Sequence, residues 1–166
     1  MEVLLRDLFD GTKRFIDFDY TTDLSEEEVF FEKPFKDPVR FSGRIENRAG
    51  VVSLTADIEA ALSLHCSRCG KPIRDFKAVP VDMILVPQGD PSADEAECVF
   101  EVRDRQELNE LLVPELLLDM DMAVLCKEDC RGRCFKCGAD LNEKECGCVR
   151  EEPRSPFSVL KNIQIK

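Results

Sequence analysis

Eight of the nine cysteines occur as close pairs, and cysteines paired at this spacing are typical metal ligands. The pairs are Cys66-x₂-Cys69, Cys126-x₃-Cys130, Cys134-x₂-Cys137 and Cys146-x-Cys148. Two thiolates two or three residues apart can reach one ion, and two such pairs complete a tetrahedral Cys₄ site. Buried free thiols would instead be scattered at the periodicity of a hydrophobic core. The spacing therefore predicts two structural zinc ions, because closed thiolate sites without redox partners favour zinc.

Two of the pairs are followed directly by glycine, in the five-residue segments 66–70 and 134–138, which we call the first and second knuckles. Glycine tolerates a positive φ, which allows backbone N–H groups to turn towards thiolate sulfurs. Lys71 and Lys136 are expected to offset part of the thiolate charge.

The sequence leaves two groupings of the cysteine pairs open. In the first, the pairs Cys134/Cys137 and Cys146/Cys148 close a local site, and Cys66/Cys69 meet Cys126/Cys130. In the second, the two knuckles face each other as a zinc ribbon, and the remaining pairs meet. Loop entropy favours the first grouping, although that cost grows slowly with loop length. Either grouping joins the region around the first knuckle to the C-terminal third of the chain.

Other cysteine chemistries fit the sequence less well. The spacing Cys130-x₃-Cys134-x₂-Cys137 occurs in radical enzymes with an iron–sulfur cluster, but those enzymes place it early in a large barrel, and only 29 residues follow Cys137 here. A thioredoxin-like redox motif needs a βαβ pattern, and a zinc deaminase needs His-x-Glu ahead of Pro-Cys-x-x-Cys; the sequence has neither. Cys98 is expected to be a core residue, and His65, the only histidine, a residue at a strand end.

No catalytic motif accompanies the cysteines. The sequence has no Gly-x-Ser-x-Gly, no phosphate-binding glycine loop and no histidine-based triad. A zinc ion with four thiolate ligands also lacks the open coordination position that catalysis requires. The acidic cluster of Asp94, Glu95 and Glu97 is expected to be a solvated loop. The sequence therefore predicts a protein that is not an enzyme and has no small-molecule substrate.

The elements that must position the cysteines are mainly β-strands. Residues 39–45 and 51–58 alternate apolar and polar side chains at period two around a turn at 46–50. Further strands are predicted from residue 73 to about 86 and over 98–103. Eleven phenylalanines and no tryptophan are available to fill the core.

A leucine-rich helix is predicted next, with Asp104 as its N-cap and with Leu108, Leu111, Leu112 and Leu118 at helical spacing. Pro114 should kink or restart it. The predicted fold class is α+β: an antiparallel β-sheet domain with this helix and a C-terminal cysteine-rich zinc-binding segment. We expect residues 1–125 to form the α+β domain, and residues 126–166 to form the metal-binding segment with its C-terminal tail packed on it.

The charge distribution limits the possible partners. The net charge is −11, and residues 90–121 alone carry 11 acidic and 2 basic side chains. Such a chain is not a bulk electrostatic binder of nucleic acid, so any contact with RNA should be local and weak, through Lys127, Arg131, Arg133 and Lys136. No apolar leader opens the sequence, and residues 111–125 are interrupted by Pro114 and by acidic residues. We therefore expect a cytoplasmic protein without a membrane segment.

From Asp37-Pro38-Val39 through the first knuckle to Ile73, the chain resembles the YceD family, the large-ribosomal-RNA-subunit accumulation proteins. The resemblance continues through the leucine-rich stretch, the segment from Cys126 to Cys148, and the ending 155–160. It implies a role in accumulation or processing of large-subunit ribosomal RNA, as an assembly factor with a ribosomal protein or pre-ribosomal particle as partner. Two alternatives stay open: a zinc-ribbon adaptor in transcription, and a redox- or metal-responsive regulator.

Overall fold

A five-stranded sheet forms the centre of the protein in the computed structural model, which describes residues 1–91 and 99–148. In chain order the elements are β1 (Glu2–Leu4), α1 (Arg6–Phe9), β2 (Phe15–Thr22), β3 (Val39–Arg48), β4 (Val51–His65), β5 (Pro72–Pro87), β6 (Val99–Val102), β7 (Arg105–Glu107) and α2 (Leu108–Leu118). The large sheet has the order β2-β3-β4-β5-β6, and a small second sheet pairs β1 with β7.

The large sheet is mixed, so the prediction of a purely antiparallel sheet is wrong. Strands β2 to β5 pair antiparallel, but β6 pairs parallel to β5, with Ile84 opposite Val99. A parallel pair requires the chain to return along the sheet before it pairs again. The alternation of side chains reveals a strand but not its direction, which is why the sequence pattern missed this edge.

The core lies between the large sheet and α2. Leu108, Leu112 and Leu116 of α2 are fully buried at i, i+4 and i+8. They lie in the same core cluster as the sheet side chains Phe41, Ile45, Leu54, Ile58, Met83 and Leu85. Leu118, which shares the predicted helical spacing, is 80% exposed. Several phenylalanines also lie outside the core: Phe15, Phe30, Phe31, Phe76 and Phe135 are exposed.

The start of α2 differs from its prediction. Glu107, not Asp104, is the N-cap residue. Asp104 precedes β7 and its carbonyl accepts a hydrogen bond from the Leu5 N–H at 2.8 Å. Pairing with β1, about a hundred residues earlier, therefore extends the backbone where the local sequence favours a helix start. The helix then continues through Pro114 without a break.

The long antiparallel pair of β4 and β5 positions the first knuckle. Pairing extends to His65 opposite Pro72, so residues 66–71 form the connection at the tip of this hairpin. Among the described residues, no helix is long and apolar enough to cross a membrane. The expectations for Cys98, for the cluster of Asp94, Glu95 and Glu97, and for the tail at 155–160 lie outside the described residues.

Candidate metal centres

The two knuckles have the same backbone hydrogen bonds. In the first, the Cys66 N–H donates to the Lys71 carbonyl and the Gly70 N–H donates to the Cys66 carbonyl, both at 2.8 Å. In the second, the Cys134 N–H donates to the Ala139 carbonyl at 2.8 Å and the Gly138 N–H to the Cys134 carbonyl at 2.7 Å. The glycines have φ values of 71° and 72°. The positive φ expected of the glycine in each knuckle is thus confirmed.

The first cluster consists of Cys66, Cys69, Cys126 and Cys130, whose sulfurs all lie within 4.8 Å of one another. The Cys66 and Cys130 sulfurs are 3.7 Å apart, and those of Cys69 and Cys126 are 3.6 Å apart. A tetrahedron with Zn–S bonds of about 2.3 Å has S···S edges of about 3.8 Å. Disulfide sulfurs would be about 2.05 Å apart. The donor atoms therefore fit a tetrahedral thiolate site.

The second cluster consists of Cys134, Cys137, Cys146 and Cys148, again with all sulfurs within 4.8 Å of one another. It is the more superficial of the two, because Cys137 and Cys148 are exposed, whereas three of the four cysteines in the first cluster are buried. This is the first of the two groupings that the sequence leaves open, and the two knuckles do not share a site. That these eight cysteines ligate metal stays a prediction.

The pKa values of the thiols differ within each cluster. The backbone N–H of Cys126, aided by those of Cys69 and Arg68, lowers the pKa of Cys66 to about 6. The N–H groups of Cys137 and Lys136 do the same for Cys134, whose pKa also falls to about 6. The Cys66 and Cys134 thiols therefore ionise at a lower pH than a free cysteine.

Further thiols in each cluster resist ionisation. Local desolvation of its sulfur and the neighbouring sulfurs raise the pKa of Cys126 to about 12, although the residue as a whole is exposed. The Cys137 sulfur, followed by local desolvation of the Cys148 sulfur, raises the pKa of Cys148 to about 12. Four thiolates this close repel one another. Either some of them stay protonated, or a cation between the sulfurs offsets the negative charge. Each cluster thus has the electrostatics of a site that a divalent cation would complete.

Arg133 joins the second cluster to the first, and Arg68 adds a bond within the first cluster. The Arg133 Nε–H donates to the Cys69 carbonyl at 2.7 Å, and the Arg68 Nη1 donates to the Cys130 carbonyl at 2.9 Å. Between the clusters, Gly132 has a φ of 74°, and a Cβ there would lie 3.0 Å from the Arg68 carbonyl oxygen. Arg133 was expected to be a surface cation for RNA. Its guanidinium instead binds the backbone of the first knuckle.

Further polar side chains complete this junction. The Asn142 side-chain amide lies 3.5 Å from the Cys130 sulfur, and its Oδ1 accepts from the Arg131 N–H at 2.8 Å. Lys71 was expected to offset thiolate charge but forms ion pairs with Asp140 and Glu143, each at 3.1 Å. The Asn142 N–H and Lys71 hold the pKa of Asp140 at about 2. An amide three residues or more from any cysteine carries no sequence signal of this role.

The chain that leads into the first cluster is also fixed. The Ser67 N–H donates to the Val124 carbonyl at 2.8 Å, and the Val124 N–H donates to the Ser67 hydroxyl at 3.1 Å. His65 lies at the end of β4, where its Nδ1 is 3.4 Å from a Glu32 carboxylate oxygen. Among the described residues, the metal-site geometry includes cysteines only, and His65 does not belong to either cluster.

The fold and these sites define a β-sheet protein with two tetracysteine clusters of metal-binding geometry. Residues 54–164 match the family "Large ribosomal RNA subunit accumulation protein YceD", and the chain belongs to this family. Membership confirms the resemblance seen in the sequence and implies a role in accumulation of the large ribosomal RNA subunit. The family is named for this accumulation role and not for an enzymatic activity.

A curated relative from Arabidopsis thaliana is named "Large ribosomal RNA subunit accumulation protein YCED homolog 1, chloroplastic". It is 38% identical over 47 residues, which is 28% of this chain and 15% of the relative. The alignment therefore spans a small part of the relative's length. No solved structure matches the chain.

Proposed function

We propose that this chain is a non-enzymatic zinc protein that supports large-subunit ribosomal RNA accumulation as an assembly factor. The observation that carries the proposal is the pair of four-sulfur clusters in a chain of the YceD family. In the first cluster Cys66, Cys69, Cys126 and Cys130 would hold one Zn²⁺. In the second, Cys134, Cys137, Cys146 and Cys148 would hold another. With every ligand a thiolate, the role of both ions would be structural.

The segment after α2 needs such a contribution because it has little core of its own. Between residues 121 and 148 only Cys130, Gly132 and Cys134 are buried. A segment with so few buried side chains gains little from the hydrophobic effect, and the binding of structural zinc supplies folding energy directly. Metal would therefore hold residues 126–148 in place against the tip of the β4–β5 hairpin.

The surface favours a protein partner on the ribosomal particle. Exposed carboxylates occur from β6 to just beyond the end of α2, at Glu101, Asp104, Glu110, Asp119 and Asp121. An acidic surface steers encounters with basic proteins, and ribosomal proteins are mostly basic. We propose a basic ribosomal protein within a pre-ribosomal particle as the main partner. The division at residue 125/126 and a cytoplasmic location stay predictions.

The test is a deletion strain in which mature large-subunit and small-subunit ribosomal RNA are quantified. Loss of the protein should lower the large-subunit RNA relative to the small-subunit RNA. Tagged protein should also sediment with large-subunit precursors. An unchanged RNA ratio would remove the ribosomal role. Sedimentation with RNA polymerase in place of ribosomal precursors would favour a transcription adaptor.

A further inference from the structure

A strained turn presents two aromatic side chains ahead of β3. Val29 and Glu32 exchange backbone hydrogen bonds at 2.8 and 3.0 Å around the two-residue loop Phe30-Phe31. Both phenylalanines have positive φ values, 50° and 69°. Loops of this kind favour Asn-Gly, because a side chain with a Cβ is strained in the left-handed region. Strain of this sort persists where the surrounding structure imposes it, and it is concentrated at functional sites.

Packing does not explain a phenylalanine at position 31. Phe31 is 97% exposed and Phe30 is 53% exposed. A phenyl ring stabilises a fold by removing apolar area from water, and Phe31 removes almost none. The turn therefore combines a strained backbone with an unburied ring. An external partner for the ring of Phe31 would account for both.

Three cationic side chains line the same groove as this ring. Phe31 lines a surface groove of about 480 Å³ together with Lys33, Lys36 and Arg74. Lys33 is paired with Glu26 at 2.6 Å. Within residues 1–91 and 99–148, no carboxylate lies within ion-pair distance of Lys36 or Arg74; Lys36 has only a longer-range charge interaction with Glu26.

The groove has one acidic side chain, which already has a partner. Glu32 lines the groove and accepts a hydrogen bond from the His65 backbone N–H at 3.1 Å. In a chain with a net charge of −11, the groove is thus a local site for anionic groups. An exposed ring beside two available cations is the arrangement by which proteins hold single-stranded nucleic acid: bases stack on the ring and phosphates meet the cations.

We propose that the groove at Phe31 binds single-stranded RNA, with a base stacked on Phe31 and the backbone phosphates at Lys36 and Arg74. A single strand is required because a base within a duplex is already stacked on its neighbours. An acidic peptide would use the cations but would gain nothing from the strained presentation of the ring. The inference rests on the proposed function, because a protein bound to a pre-ribosomal particle would lie next to ribosomal RNA. It does not depend on metal ligation.

Fluorescence anisotropy with a labelled oligouridylate of about 12 nucleotides tests the ring. Phe31→Ala should weaken binding about tenfold, since a stacked base is worth about 1–3 kcal/mol and tenfold corresponds to about 1.4 kcal/mol. Phe31→Tyr should retain most of the affinity. Phe31→Gly should weaken binding like the alanine variant but raise the melting temperature, because glycine relieves the positive φ. The matched control is Phe76→Ala, since Phe76 is 62% exposed on β5 and does not line the groove.

The salt dependence of the same assay tests the cations. Lys36→Gln and Arg74→Gln should each reduce the slope of log affinity against log salt by about 0.7, the value for one phosphate contact on a single strand. Affinity that is undetectable at about 50 mM salt, where phosphate contacts are strong, would overturn the proposal. Equal losses in Phe31→Ala and Phe76→Ala would overturn it as well. Phe31-dependent binding of a polyglutamate peptide without binding of the oligouridylate would assign the groove to a protein partner instead.

Complementation of the deletion strain separates this inference from the proposed function. If the wild-type gene restores the ribosomal RNA ratio and the Phe31→Ala gene restores it equally, the assembly role stands and an RNA-binding role for the groove is refuted. If deletion leaves the ratio unchanged while the purified protein shows the expected Phe31 dependence, the groove binds RNA and the proposed function fails. Partial restoration by Phe31→Ala and full restoration by Phe76→Ala supports both.

Discussion

Gly132 is the residue whose replacement most directly tests the junction between the two clusters. It lies between Cys130 of the first cluster and Cys134 of the second, with a φ of 74°. An added Cβ would lie 3.0 Å from the Arg68 carbonyl oxygen and 3.3 Å from the Arg68 Cβ. Gly138 provides the matched control, because its φ is 72° but a Cβ there would meet nothing within 4 Å. Alanine at either position is strained, and only alanine at 132 is also crowded.

The expected difference between the two variants follows from these contacts. Left-handed strain costs about 1–2 kcal/mol for a residue with a Cβ, and both variants share it. Overpacking against a fixed neighbour costs a further 1–3 kcal/mol, roughly, and only Gly132→Ala incurs it. Because metal binding and folding are coupled in such segments, the lost stability appears as weaker zinc retention. Gly132→Ala should therefore release zinc about 5 to 150 times more easily than Gly138→Ala.

Competition with a chromophoric zinc chelator measures this difference. The zinc-loaded wild type and both variants are titrated, and the chelator concentration that removes half of the zinc is compared. This chelator concentration should be highest for the wild type, lower for Gly138→Ala and lowest for Gly132→Ala. If the two variants release zinc at the same chelator concentration, the close approach to Arg68 contributes nothing and the reasoning is wrong.

Three further predictions concern the metal, the second cluster and the core. Protein purified without added metal should contain about two zinc ions per chain and no labile sulfide; a brown, iron-containing product would refute the zinc assignment. Cys134→Ser should lose one of the two ions and expose new tryptic sites after Arg131 and Arg133 while the sheet stays intact; unchanged zinc content would show that Cys134 is not a ligand. Tyr20, the only tyrosine, should titrate near pH 12, because burial and then the charge of Glu107 raise its pKa to about 12 from 10.0. The raised pKa means that the contribution of neutral Tyr20 to the free energy of unfolding should be fully present below pH 10 and lost as the pH rises towards 12. Tyrosinate absorbance that develops near pH 10 would contradict this prediction.

The sequence predicts the hairpin of β4 and β5 and the shape of its knuckle because their signals are local. Period-two alternation marks the strands, and a glycine directly after Cys69 or Cys137 marks the positive φ that each knuckle needs. Loop entropy also favours the grouping of cysteine pairs that the structure has. Each of these inferences depends on residues that are close in the chain or on a general cost of chain closure.

The features that the sequence misses depend on distant contacts. Asp104 has the chemistry of an N-cap, but pairing of β7 with β1 extends the backbone there. The pattern of β6 does not reveal that it pairs parallel to β5. Arg133 is an ordinary surface cation in the sequence, and only the folded chain places its guanidinium against the Cys69 carbonyl. Phe31 is one of eleven phenylalanines expected in the core, and no local pattern shows that it is exposed.

The unequal chain separations within the two clusters have a consequence for the order of folding. All four cysteines of the second cluster lie within 134–148, whereas Cys69 and Cys126 of the first are 57 residues apart. Cysteines within a short segment come together quickly. Cysteines far apart in the chain come together only after the sheet and α2 have formed. The first cluster should therefore be the last part of the molecule to form. A cell short of metal would accumulate chains with a complete sheet and an untethered C-terminal third, so metal supply would limit the number of competent molecules and not the yield of folded sheet.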